Sequence, residues 1–280
     1  MGEWQVALRP VLRNRLVLFG AGLVAGMVVL AVLAGVLAPY DPTEMKVADA
    51  LKPPSAAHPF GTDRFGRDVL SRTIHGSRIA LGVAGSSIAL AFTVGTLLGL
   101  VGGYVGRWPD LAIGRVMDVL FSFPTLILAI AIAAMLGPGL NNAALAIAVV
   151  YAPLFSRVAR GPVIAERAKD HVVAALGIGA GAFRVVFRHI LPNVLAPLIV
   201  QASVSLAFAI LAEASLSYLG LGTQPPDPSW GTMLNEGRTY LETAPWMSVF
   251  PGLAIMLAVL GFNLVGDGLR DVLDPQLRGR

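Results

Sequence analysis

The chain has no cysteine among its 280 residues, so no disulfide, thiolate metal site or cysteine nucleophile can be built from it. Charge is scarce as well. Asp, Glu, Lys and Arg together make up 14%, against about 25% in a typical soluble domain. The four histidines (His58, His75, His171, His189) fall outside the long apolar runs, which leaves no imidazole for an intramembrane proton relay or metal site. Gly is never followed by Lys, so a G-x-x-x-x-G-K-[ST] phosphate loop is excluded, and neither H-E-x-x-H nor G-x-S-x-G occurs. The chain therefore offers no catalytic, cofactor-binding or metal-binding constellation of its own.

What it has in excess is apolar length. Hydrophobic residues make up 55% and mean hydropathy is +0.71, the composition of a membrane protein. Leu16 to Ala38 carries no charge and would reach roughly 34 Å as a helix, enough to cross a bilayer. Its apolar run is longer than the roughly 7–15 residues of a signal peptide, so it reads as an uncleaved span. Ile79 to Val105 is a second run. Between Arg115 and Arg157 the only charge is Asp118, and "GPGLNN" (Gly137 to Asn142) divides that stretch into two crossings. Val194 to Ala212 and Thr243 to Gly266 complete an all-α fold with six transmembrane helices.

Basic residues set the orientation. The N-terminal segment holds Arg9, Arg13 and Arg15, and the second-to-third connection holds Arg107 and Arg115. The fourth-to-fifth holds Arg157, Arg160, Arg167, Lys169, Arg184 and Arg188. The opposite side has the neutral "GPGLNN" turn and a loop from Ser217 to Glu242 with few charges. Excess positive charge marks the cytoplasmic side, which places both termini there. The first external loop, Pro39 to Arg78, carries six basic and five acidic residues, and its length reduces its weight.

Within the fourth-to-fifth connection, "ERAKDHVVAAL" (Glu166 to Leu176) reads as a helix. Glycines at 177, 179 and 181 would let the backbone bend sharply. Phe183, Val186, Phe187 and Ile190 then repeat at helical spacing with Arg184 and Arg188 on another face, and Pro192 is expected to end that second helix. The glycine spacing follows no strand, so it is not a dinucleotide loop. A basic helix–bend–helix of this kind either lies on anionic headgroups or docks into a cytoplasmic partner.

The stretch Asp170 to Asn193 resembles the "EAA" loop of ABC-importer permeases. Ala174, Ala175, Gly179, Ile190, Leu191 and Pro192 match, and Val173 stands where the family has glutamate. Arg167 and Asp170 are near enough to substitute for that carboxylate's pairing. "HPFGTDRFGRDVLSRTIHGSRIAL" (His58 to Leu81) is similar to the external signature of the dipeptide, oligopeptide and nickel permeases, matching at Gly61, Thr62, Asp63, Gly66, Arg67, Asp68, Ser71 and Arg72. "EASLSYLGLGTQPPDPSWGTML" (Glu213 to Leu234) and "FNLVGDGLRDVLDPQL" (Phe262 to Leu277) match too.

This resemblance implies a C-type permease with an ABC type I importer fold. It implies a homologous B-type permease in a heterodimer, two cytoplasmic ATPase subunits holding ATP and magnesium, and an extracytoplasmic substrate-binding protein. The surroundings would be lipid of the cytoplasmic (inner) membrane, with no nucleic acid. Residues 1–76 would form the N-terminal segment, first span and external loop with an amphipathic helix over Asp63 to Arg72. Residues 77–268 would form the permease domain, with its coupling loop at 162–192, and 269–280 the tail. The coupling residues would be Asp170, Val173, Ala174, Ala175, Gly177, Gly179, Phe183, Arg184, Phe187, Arg188, Leu191 and Pro192.

The resemblance implies a di- or oligopeptide as cargo. Nickel or another small solute is the alternative within the class, and an ion-coupled secondary transporter the alternative outside it.

Pro124 and Pro153 would bend spans, and Gly95, Gly99 and Gly103 would permit close helix approach. Gln201, Ser205, Glu213 and Asn263 are candidates for the pathway, with Asn193 and Ser203 as further polar positions. Glu213 is expected at the hydrated outer end of its span, serving either structure or the vestibule. Arg115 and Asp118 are spaced to pair at i, i+3.

Overall fold

The computed structural model describes residues 14–273, and they form an all-helical bundle whose one β-bridge joins Thr62 to Asp68. Helix α1 (Arg15–Val32) continues through a break at Leu33 into the short α2 (Ala34–Leu37). The long α3 (Val69–Val105) follows, then α4 (Arg107–Phe121), α5 (Thr125–Leu136) and α6 (Leu140–Arg167). After the short α7 (Asp170–Gly177) and α8 (Ala182–Arg184) come α9 (Leu191–Tyr218), α10 (Trp230–Gly237) and α11 (Trp246–Leu273). Residues 1–13 and 274–280, with Arg9 and Arg13 and most of the expected tail, lie outside the described residues.

Five helices are long and apolar enough to cross a membrane, and a sixth crossing is obtained when α4 and α5 count as one broken span. Six is the number the charge-free runs predict. The bounds differ in informative ways. At 37 residues α3 would run about 55 Å, far beyond the roughly 30 Å hydrocarbon core, so its start stands clear of the lipid and tolerates Ser71, Arg72 and His75. Pro124 does not bend a continuous span; it sits at the break between α4 and α5, whose axes meet at 93°. Arg78 donates from Nε to Ala31 O at 3.1 Å and from Nη2 to Val32 O at 3.2 Å, satisfying carbonyls that the end of α1 leaves free.

The core forms where α3 runs against α6. An added Cβ at Gly95 would stand 2.3 Å from Ala152 O, at Gly99 2.5 Å from Ser156 O, and at Gly103 2.8 Å from Val163 Cγ1. The three glycines let the two backbones touch, as small residues at helical spacing do in lipid. Phe155, Ala159 and Val163 on α6 are fully buried beneath them.

Pro192 begins a helix instead of ending one. It occupies the first turn of α9, directly after a π-helical stretch that leads the chain into it. A π-helical stretch, Val185–Ile190, connects α8 to α9, so Ala182 to Tyr218 is one continuous rod. The amphipathic stretch on the basic loop is thus the loop-side end of the fifth span.

Candidate functional site: the loop between the fourth and fifth spans

The site is held in place by one carboxylate. Glu166, in the last turn of α6, is 6% exposed. Its Oε2 lies 2.6 Å from Lys169 Nζ, and its Oε1 lies 3.3 Å from His171 Nε2. The same Oε1 accepts a hydrogen bond from Asn193 Nδ2 at 2.9 Å. One side chain therefore joins the end of α6, the start of α7 and the start of α9. Charge-assisted bonds of this kind are among the stronger ones. Arg167 lies over the Tyr104 ring, 5.5 Å from its centroid, and the acid that pairs across this loop is Glu166. Glu166 was legible as an acid near the loop but had no motif position to single it out.

Asp170 opens α7, and Val172 and Ala175 on its inner face are buried. The bend runs through Ile178 to Gly181, with Gly179 at φ +85°, a conformation that L side chains rarely adopt. The outer face is bare and apolar: Val173 is 56% exposed, Leu176 43%, Ile178 88%, Phe183 77% and Phe187 40%. The Phe183 and Phe187 rings meet at 4.5 Å. With Arg184, Arg188 and Pro192 they line a shallow groove of about 500 Å³. Ala174, Gly177 and Gly179 are exposed as well, and Leu191 is half-buried. Ala175 alone among the predicted coupling residues is withdrawn into the core. Val173 faces outward, so the substitution of the family's glutamate adds apolar surface and leaves no buried gap.

The external signature is a structural knot. Asp63 Oδ1 accepts from the backbone N–H of Phe65 and Arg67, while its Oδ2 accepts from Arg67 Nε at 2.5 Å. Arg67 and Arg72, 2% and 1% exposed, both reach Glu236 Oε2, at 2.7 and 3.3 Å. Asp68 caps α3 through Ser71 N (2.7 Å) and also meets His58 Nδ1 at 2.9 Å. Thr62 O accepts from Trp246 Nε1, and Thr73 O accepts from Trp230 Nε1. Gly61 and Gly66 take φ +72° and +75°, and a Cβ on Gly66 would fall 1.8 Å from Lys46 O. Nearby, hydrogen bonds from the Thr43 hydroxyl and the Lys52 ammonium hold Asp41 and Asp49 below the usual carboxylate range. Residues 61–68 are loop, so the amphipathic helix expected over Asp63 to Arg72 is replaced by a buried ion network that begins α3 at Val69.

The polar residues of the spans do not converge. Gln201 Nε2 donates to Ser205 Oγ at 3.2 Å on one face of α9, but Ser205 is fully buried. Ser203 Oγ donates back to Ile199 O. Glu213 is 0% exposed, contrary to the hydrated position expected; its Oε1 accepts from Ser217 Oγ at 2.7 Å and Thr223 Oγ1 at 3.4 Å. The turn after α9 folds over it and keeps water out. Asn263 is half-buried on α11. Asp118 pairs with Arg157 at 3.1 Å, across to α6, and not with Arg115.

Five apolar helices and one bent pair long enough to cross a bilayer, with a braced loop presenting apolar and basic groups between the fourth and fifth spans, define a multi-pass membrane protein. Comparison with known proteins agrees. A family described as "Binding-protein-dependent transport system inner membrane component" matches residues 95–279, and one described as "N-terminal TM domain of oligopeptide transport permease C" matches residues 2–54. The chain belongs to the first of these families, and it is a multi-pass inner-membrane permease subunit.

The dipeptide transport system permease protein DppC of Alkalihalophilus pseudofirmus is 45% identical over 99% of this chain and 91% of its own. The glutathione transport system permease protein GsiD of Pectobacterium atrosepticum is 42% identical over 98% and 92%. Among solved structures, the inward-facing MetNI methionine ABC transporter aligns with a TM-score of 0.57 at 21% identity, over 72% of this chain and 97% of that one. The fold is that of an ABC-importer permease.

Proposed function

We propose that this chain is the C-type permease of an ATP-driven importer of di- or oligopeptides. It works with a homologous B-type permease, two cytoplasmic ATPase subunits that hold ATP and magnesium, and an extracytoplasmic binding protein. The observation that carries this reading is the 168–190 loop. Its outer face is bare and apolar with arginines beside it, while Glu166 fastens its inner side to two spans. A rigid projection of this kind transmits a push. A partner that closes on Ile178 and Phe183 would move α6 and α9 together, because both are fixed to the same carboxylate. The basic residues on this loop support a cytoplasmic location for it and for both termini.

Peptide cargo is supported by relatives named for dipeptide and glutathione transport at 45% and 42% identity.

Uptake of labelled dipeptide into proteoliposomes tests the reading, with the permease pair, ATPase subunits and binding protein reconstituted together. The reading predicts uptake that needs ATP and the binding protein and is insensitive to ionophores. Uptake that persists without ATP and collapses with a proton or sodium ionophore would contradict it.

A further inference from the structure

A cavity of about 810 Å³ opens where α3 gives way to α4 and is closed by the last third of α6. That volume lies within the roughly 300–1,000 Å³ of small-molecule sites. Four arginines line it: Arg107, Arg115, Arg157 and Arg160. Two are neutralised within the chain. Arg160 grips Asp110 with both nitrogens of its fork, Nη2 to Oδ2 at 2.6 Å. Arg157 reaches Asp118 at 3.1 Å and stacks on Phe121, 4.3 Å from the ring centroid. Arg107 and Arg115 have no acidic partner among the described residues, so two positive charges are left over.

The rest of the wall is apolar. Trp108 is 79% exposed and Leu111 55%, and Val116 and Val119 farther along α4 are 56% and 61% exposed. Helix α4 stands at 93° to the wholly apolar α5. Within this broken span the charges all sit on α4, at Arg107, Asp110, Arg115 and Asp118, so α4 is the half held at the membrane surface, the posture of an amphipathic interfacial helix. The cavity is thus at headgroup depth, with uncommitted cations and the exposed Trp108 and Leu111 together in its wall.

We propose that this cavity seats the phosphodiester headgroup of an anionic membrane phospholipid, with the acyl chains over Trp108 and Leu111. Guanidinium forks match phosphate oxygens in pairs, and basic pockets between spans take anionic headgroups. A small free anion would satisfy Arg107 and Arg115 but leave the apolar wall bare; a phospholipid covers both. The assignment does not depend on the importer reading, because it uses only the cavity's charge, shape and depth.

Native mass spectrometry of the transporter, extracted in mild detergent and re-equilibrated with phosphatidylglycerol or phosphatidylcholine, tests it. Wild type should retain phosphatidylglycerol in preference to phosphatidylcholine. The Arg107→Gln/Arg115→Gln double variant should lose roughly thirtyfold in that retention, about fivefold per arginine. Arg270→Gln, at an exposed position near the end of α11, should lose none. If the double variant is not recovered folded, each single variant is read for its fivefold loss.

Equal retention of the two lipids by wild type, or unchanged retention in the arginine variants, would overturn the proposal. So would millimolar inorganic phosphate displacing the phosphatidylglycerol, which would assign the cavity to a free anion. Release of another subunit by the double variant, with lipid retention unchanged, would make the cavity a protein interface and also overturn it.

Discussion

Glu166 and Asn193 stand 27 positions apart and meet at 2.9 Å, the carboxylate of one span accepting from the amide at the start of the next. The chain between them forms one loop, packed on its inner side through Val172, Val185 and Ile190, whose base cannot open without breaking that contact. Glu166→Ala removes the acceptor for Asn193, His171 and Lys169 together. A hydrogen bond to a charged group contributes about 1.5–3 kcal/mol. The variant should therefore insert in the membrane normally but show faster hydrogen exchange across 168–190 and at least tenfold weaker coupled uptake. Glu166→Gln keeps an acceptor for Asn193 and should retain more of both.

Ala175 and Ile178 are neighbours on the loop with opposite fates, 7% and 88% exposed. Ala175→Glu forces a charge into the space that Val172 shares, so the expected result is a misfolded loop and low yield. Ile178→Asp changes only the surface, so the expected result is full yield with lost ATPase association. Co-purification of the ATPase subunit, normalised to permease in the membrane, separates the two.

The ion knot before α3 makes a prediction of the opposite kind. Glu236→Ala leaves the buried Arg67 and Arg72 with Asp63 as their one remaining carboxylate, two cations against one anion, and the cost approaches the roughly 3–5 kcal/mol of breaking a buried pair. Thermal unfolding of the detergent-extracted permease should shift down sharply. Cytoplasmic ATPase association should survive at temperatures below the transition, because the knot lies at the far end of α3.

Gly99→Val places its Cβ 2.5 Å from the Ser156 carbonyl oxygen, which belongs to backbone and cannot rotate away. Helices α3 and α6 must separate, at a cost typical of overpacking, about 1–3 kcal/mol. A lower unfolding temperature is expected. Gly82→Val, on the same helix but with nothing within 4 Å of its added Cβ, should leave it unchanged.

Much of this was legible in the sequence. Charge-free runs located the spans because charge in lipid is costly, and the spacing of Gly95, Gly99 and Gly103 announced a close helix contact whose partner, α6, only the structure shows. The bend at Gly177 to Gly181 was readable from residues that permit positive φ. What sequence did not show depends on contacts distant along the chain. Glu236 lies 164 residues from Arg72, so the signature's ion network reads locally as a polar surface stretch. Arg115 and Asp118 are well spaced to pair, yet Arg157 on α6 competes successfully for the carboxylate. Pro192 reads as a terminator, but the π-helical stretch before it carries the rod through. Glu213 reads as hydrated because it lies near a span end; the Ser217 to Thr223 turn that covers it is not predictable from the span alone.

The most direct measurement is ATP turnover by the reconstituted complex, with and without peptide-loaded binding protein, for wild type and Ile178→Asp. If the 168–190 loop couples ATPase closure to the spans, loaded binding protein should stimulate wild-type turnover several-fold, and Ile178→Asp should abolish that stimulation while the permease remains folded in the bilayer. Equal stimulation in both would show that the exposed apolar face of the loop is not where the ATPase engages, and the coupling role assigned to it would be wrong.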